Sequence, residues 1–237
     1  MKRVVIIGII VLLISLPIAF ISIFRPSLVS KSNNLIYQTV SRLFNLRIHR
    51  KGAKISKNKP LVFVSNHMSY LDIMVLGATL PGHFVSKAEV ARWPIIGWVA
   101  ALTGTIFINR KKSAAGSHLT LLENSLKRGK NLIFFPEGTT GDGVKQLPFK
   151  SSLFKIAEDM DITIQPVTIK YSHINGLPIQ RNERSQIAWI GDMDFAPHIN
   201  QFLKLGKVQV DVTLHEPIEG LKNRKEIAAK CQEIIGG

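Results

Sequence analysis

The sequence predicts an α/β fold, with a largely parallel or mixed central sheet flanked by helices and an N-terminal membrane-anchoring helical segment in front of it. Three observations carry this. Short apolar runs alternate with stretches of helical apolar spacing from residue 61 onward. Residues 4–24 contain no charged side chain, and the first 60 residues hold eleven Lys or Arg and no acid. A chain of 237 residues accommodates one catalytic domain plus an anchor. The division falls into an anchor and basic segment over 1–58 and a catalytic domain over 59–237.

The run VVIIGIIVLLISLPIAFISIF at 4–24 would span about 30 Å as a helix, the thickness of a bilayer's hydrocarbon core. Lys2 and Arg3 in front of it also suit a signal peptide, but no small-residue cleavage site follows. Pro17 admits a kink, so a bent pair entering one leaflet fits as well as a straight span. Two basic residues precede the run and nine follow it before residue 60, which places the catalytic domain on the cytoplasmic side. The formal charge of +15 suits an anionic phospholipid surface, where each nearby Lys or Arg adds about 1 kcal/mol. Nucleic acid is not expected as a partner: there is no zinc-finger spacing or aromatic RNA-binding signature, and such a protein has little use for residues 4–24. Cys231 is the single cysteine, so no intrachain disulfide forms.

Residues 34–48 place Ile36, Val40, Leu43 and Phe44 near one face, an amphipathic helix that suits either the lipid interface or a cap on the domain. Residues 50–60 are polar and basic and read as a link. Strands are expected at 61–65, 83–86, 105–109, 131–135, 162–169, 186–190 and 207–215, and helices at 70–79, 113–128 and 150–160. Sites in such sheets gather beyond the C-terminal ends of strands.

Three sets of residues lie at strand ends. In SNHMSYLD (65–72), His67 is followed after five residues by Asp72. An imidazole can take a proton from an alcohol while a carboxylate behind it fixes the tautomer. Alone, the pair reads equally as a helix-capping loop with a surface histidine. In FFPEGTTGDG (134–143), Pro136 stiffens a turn, Gly138 permits a tight backbone, and Thr139 offers a hydroxyl near backbone amides. Glu137 requires a partner if buried. Alone, this reads equally as an ordinary Gly-rich turn with a surface acid, and no G-K-[ST] follows to make a phosphate loop. Lys87 and Arg110 close two strands and suit a phosphate, or in the plainer reading are surface charges. The remaining histidines show no metal-ligand spacing, so no metal is expected. Trp93 and Trp98 fit a membrane interface or core packing equally.

Taken together and in order, these residues resemble the glycerolipid acyltransferase family. Its motif N-H-x-S-x-x-D is matched by Asn66, His67, Ser69 and Asp72, and G-x-x-F-I-x-R by Gly104, Phe107, Ile108 and Arg110. F-P-E-G-T is matched by Phe135 to Thr139, and a short apolar strand with a proline by ITIQPVTI, containing Pro166. The match runs over about residues 61–170, and Phe149 and Lys150 continue it. Where relatives often have Arg and Ser after this third motif, Thr140 and Gly141 stand here, and Ser152 replaces a frequent glycine. With GDMDFAPH at 191–198, this variant is similar to a bacterial branch that includes lyso-ornithine lipid acyltransferases.

The resemblance implies a transferase at a bacterial inner membrane with no permanently bound cofactor. Its donor would be an acyl thioester of coenzyme A or acyl carrier protein. The acceptor would be the sn-2 hydroxyl of 1-acyl-glycerol 3-phosphate, or alternatively lyso-ornithine lipid or another lysophospholipid. His67 and Asp72 would be catalytic; Lys87, Arg110, Glu137, Gly138 and Thr139 would hold substrate; Asn66, Ser69, Gly104, Pro136 and Lys150 would support them. A hydrolase lacks its G-x-S-x-G elbow. A non-enzymatic lipid-binding or scaffold protein would leave the His67, Asp72, Arg110 and Glu137 set without a task.

Overall fold

Leu61, Val62, Phe63 and Val64 are all shielded from solvent. They alternate across one sheet, Leu61 and Phe63 joining one core and Val62 and Val64 another. A strand apolar on both faces needs a helical layer on each side. The computed structural model describes residues 26–93, 96–108 and 115–237, so the apolar segment 4–24 and Arg110 lie outside the described residues.

In chain order the elements are α1 (Pro26–Leu43), β1 (Leu46–Gly52), β2 (Leu61–Ser65), α2 (Leu71–Thr79), β3 (His83–Lys87), α3 (Ile96–Leu102), β4 (Ile106–Ile108) and α4 (Ala115–Lys127). There follow β5 (Leu132–Phe134), α5 (Ile156–Asp159), β6 (Thr163–Ile174), β7 (Leu177–Pro178), α6 (Phe195–Phe202), β8 (Val208–Leu214) and α7 (Arg224–Gly236). The described strands form one sheet in the order β1-β8-β6-β2-β5-β3-β4, with β7 hydrogen-bonded to β6. From β6 to β4 all neighbours are parallel. β8 runs antiparallel to β6, and β1 parallel to β8. The sheet is therefore mixed, and helices flank it: α1, α2 and α6 bury against one face, α4, α5 and α7 against the other.

Several expectations are corrected. The helix expected over 34–48 ends at Leu43, because Asn45 takes a left-handed backbone (φ 56°) that stops it. Leu46–Gly52, expected as helix end and link, pairs with β8 as the edge strand of the sheet. The strand expected at 186–190 does not form. Arg181–Gln186 is a short 3-10 helix closed by reciprocal Gln180 and Glu183 contacts, and 187–190 crosses the loop after β2 instead. The sequence reading assigned nothing to α7, although Asn223 caps it by accepting the Lys225 and Glu226 N–H groups, and Ile227, Ala228, Cys231 and Ile235 bury one face. No helix among the described residues is long and apolar enough to cross a membrane.

Candidate active site

β2 and β5 are direct neighbours, with Val62, Phe63 and Val64 in register with Leu132, Ile133 and Phe134. The loops leaving their C-terminal ends therefore meet, although about 70 residues separate them. The Gly141 N–H donates to the His67 carbonyl at 2.8 Å, and the two rings of His67 and Phe135 stack at 3.9 Å and 11°. Phe135 thereby holds one face of the imidazole.

Asp72 begins α2 and is fully buried. Its Oδ2 accepts the Met68 and Ser69 N–H groups at 2.7 and 2.9 Å and faces His67 Nδ1 at 2.8 Å. Its Oδ1 accepts the Tyr171 hydroxyl at 2.8 Å. An aspartate oxygen that already accepts two backbone donors leaves His67 Nδ1 as a third donor. That fixes the tautomer: the proton sits on Nδ1, and the lone pair on Nε2 can take up a proton. The first turn of a helix is also where a carboxylate is favoured. This is the arrangement needed to make a general base of a histidine.

Glu137 is buried, and neither oxygen of its carboxylate is spare. Oε1 accepts the His67 N–H at 2.8 Å and Oε2 the Leu147 N–H at 3.2 Å. Burial pushes its carboxyl above the usual range, while these two bonds pull it back. Glu137 thus joins three loop segments through their main chains. Asn66 does the same on the other side, donating to the Ile169 carbonyl at 3.0 Å and accepting its N–H at 2.8 Å. Ser69 is buried and its Oγ accepts the Leu71 N–H at 3.4 Å.

The remaining expected residues divide. Pro136 and Gly138 are buried, Gly138 at φ 74°, and the Lys150 N–H anchors the Pro136 carbonyl at 2.9 Å, so Lys150 supports the loop through its backbone. Thr139 is exposed. Gly104 takes φ 75°, and a Cβ there would lie 2.8 Å from His83 Nδ1, so backbone conformation and space together account for its glycine. Lys87 is exposed at the end of β3, in register with Ile108, two residues before Arg110. Trp93 is partly exposed and meets Trp189 edge-on at 5.6 Å, while the Trp98 side chain lies outside the described residues. Among the described residues no group of three His, Cys, Asp or Glu is placed to hold a metal.

Sequence reasoning missed three contributors. Tyr171 was signalled only by its sharing a strand face with Val167 and Ile169. Thr140 Oγ1 donates to the Trp189 carbonyl and the Trp189 N–H to the Met68 carbonyl, so 187–190 straps both loops together. His198, buried in α6, lies between the Ala188 carbonyl and the Tyr70 hydroxyl, at 3.0 and 3.1 Å. A cavity of about 270 Å³ opens beside this frame, bordered among others by His67, Glu137, Lys170 and Arg184.

Comparison with known proteins agrees with this geometry. A family model described as Acyltransferase matches residues 47–170. The chain is similar to the lyso-ornithine lipid O-acyltransferase of Brucella abortus, 37% identical over 193 residues, covering 78% of this chain and 72% of that protein. It is also similar to a 1-acyl-sn-glycerol-3-phosphate acyltransferase of Neisseria gonorrhoeae, 35% identical over 177 residues, covering 74% and 68%. The crystal structure of the 1-acyl-sn-glycerophosphate acyltransferase of Thermotoga maritima shares the fold, with a TM-score of 0.65 at 21% identity over 97% of this chain and 95% of that one. Beside the paired His67 and Asp72 and their loop frame, the family match and the relatives place the chain: it is an acyltransferase and belongs to the glycerolipid acyltransferase family.

Proposed function

We propose that the protein transfers a fatty acyl group from an acyl thioester of coenzyme A or acyl carrier protein to the free hydroxyl of lyso-ornithine lipid. The observation that carries the acceptor is Thr140. Where relatives often carry an arginine suited to phosphate, this side chain is neutral and spent on the Trp189 carbonyl. Ornithine lipid has no phosphate; its head group offers a carboxylate and an ammonium, and Lys170 and Arg184 at the border of the cavity suit the carboxylate. The similarity to lyso-ornithine lipid O-acyltransferases supports the same reading.

In the reaction the acceptor oxygen attacks the thioester carbonyl as its proton passes to His67 Nε2. The tetrahedral oxyanion collapses, the C–S bond breaks, and the leaving thiolate takes that proton back from the imidazolium. An ester and a free thiol result, with no acyl-enzyme. Asp72 supports the transient imidazolium. The Gly138 N–H donates to the Phe135 carbonyl at 3.1 Å and so holds the turn beside the site, and the exposed Lys87 steers anionic substrate. The apolar segment 4–24 and the basic residues after it hold the enzyme on the cytoplasmic face of a bacterial inner membrane.

The second reading takes 1-acyl-glycerol 3-phosphate as acceptor and gives phosphatidic acid. Lys87 at the end of β3, beside the strand that leads to Arg110, favours it. Purified protein in lipid, a labelled thioester on each carrier, and both acceptors in parallel separate the two, with His67→Ala as control. Preference for the phosphate acceptor refutes the first reading. Transfer retained in His67→Ala refutes the mechanism.

A further inference from the structure

We infer that Tyr171 is a positioning residue for this reaction: its buried hydroxyl, donating to Asp72 Oδ1 at 2.8 Å, sets how strongly the carboxylate holds the proton on His67. The inference rests on His67 as base and goes beyond the family's histidine and aspartate. Asp72 is completely buried and Tyr171 nearly so, so water does not compensate if the phenol is removed. The other oxygen of Asp72 carries Met68 N–H, Ser69 N–H and His67, while Oδ1 accepts from the Tyr171 hydroxyl. The phenol is not a proton source, since burial and the adjacent Asp72 raise its pKa well above 10.

Its position is fixed by the strand. Asn66 clamps both main-chain groups of Ile169, so the loop carrying His67 is bolted to β6 two residues before Tyr171. The pleat then brings Tyr171 to the same face as Ile169. The clamp sets the register between loop and strand, and the register sets the phenol against Asp72.

The consequence follows from charge. A donor on Oδ1 draws negative charge away from the carboxylate and weakens its pull on an imidazolium. Without it, Asp72 attracts the proton more strongly and His67 is protonated at higher pH. Of the neighbouring titratable groups, Glu137 from the loop after β5 faces His67 and Asp72, and Tyr70 from the loop after β2 faces Tyr171. Neither hydrogen-bonds Asp72, so neither replaces the missing donor.

The test pairs two substitutions of opposite sign. In Tyr171→Phe, kcat on the acid limb should fall by about threefold, the factor a half-unit rise of that limb produces, with acceptor KM nearly unchanged because the interaction lies away from substrate. The acid limb of the kcat–pH profile should move up by roughly half a unit or more. Replacement of Tyr171 by 3-fluorotyrosine, a stronger donor that keeps the fold, should move the limb down. A limb that stays in place in both proteins overturns the inference, even if kcat drops, because a purely structural loss lowers the rate without moving the pH dependence. An NMR titration of the His67 side chain in the same proteins reads the shift without catalysis. If the wild type fails to acylate either lysolipid, the proposed reaction fails while this titration still decides the role of Tyr171.

Discussion

Glu137 meets His67 through the main chain and not through the imidazole: its Oε1 accepts the His67 N–H at 2.8 Å while Oε2 accepts the Leu147 N–H at 3.2 Å. An acid beside the proposed base invites a chemical role, yet both oxygens are occupied in holding loops. In Glu137→Gln one of the two backbone N–H groups must face the amide nitrogen. The expected cost is about 1–3 kcal/mol of stability for the unsatisfied donor, with kcat falling because His67 loses its anchor. Thermal unfolding and steady-state kinetics measure both, and a Glu137→Gln protein of wild-type stability contradicts the loop-joining role.

Asn66 both donates to and accepts from the Ile169 main chain, which its isostere Asp cannot do. Asn66→Asp keeps an acceptor for the Ile169 N–H but sets a carboxylate against the Ile169 carbonyl, where the amide donated at 3.0 Å. Asn66→Asp is expected to be at least as destabilising as Asn66→Ala, each by about 1–3 kcal/mol. Denaturant unfolding of the two variants ranks them; a stable, active Asn66→Asp enzyme would show that the clamp contributes little.

Cys231 is fully buried in α7, and burial pushes its thiol up to about 12. The thiolate needed for nucleophilic attack is therefore absent at neutral pH. Cys231→Ala should retain kcat while losing about 1–2 kcal/mol of stability to the cavity left beside Ile227 and Ile235. Loss of transfer in a folded Cys231→Ala protein would point to an acyl-enzyme through sulfur.

His198 gives stability a pH dependence. Burial lowers its pKa below the ordinary 6.5, so the folded protein resists a proton that the unfolded chain accepts. The stability it supports is complete above about pH 6.5 and declines as the pH falls toward the lowered folded value. His83 and His215 are shifted the same way by burial and contribute to the same decline. Unfolding measured from about pH 5 to 7.5 should show a shallower acid slope in His198→Phe than in the wild type. An identical slope would remove His198 from that balance.

The local chemistry was legible in the chain. Runs such as LVFVS announce strands buried on both faces because four successive residues, Leu61 to Val64, are apolar. His67 and Asp72 lie five residues apart across one strand-to-helix turn, but alone they read equally as a helix cap, and the further motifs at 104–110 and 135–139, in order, singled them out. Cys231 as the single thiol, the acid-free first 60 residues and the apolar run at 4–24 are likewise properties of sequence. What the tertiary structure decided depends on non-local pairing. β5 returns between β2 and β3, which carries Glu137 to the His67 backbone from 70 positions away. β1 was hidden because LRIHRKG is an edge strand, mostly exposed and basic, and pairs only with β8 from the far end of the chain. QIAWI has the apolar content of a strand but finds no neighbouring edge, and spends its hydrogen bonds on Met68 and Thr140. Tyr171 alternates like any core residue, and its contact with Asp72 exists only once the Asn66 clamp has set the register of the loop on β6. Periodicity records which face a side chain occupies; the partner it meets there is fixed by which strands lie side by side.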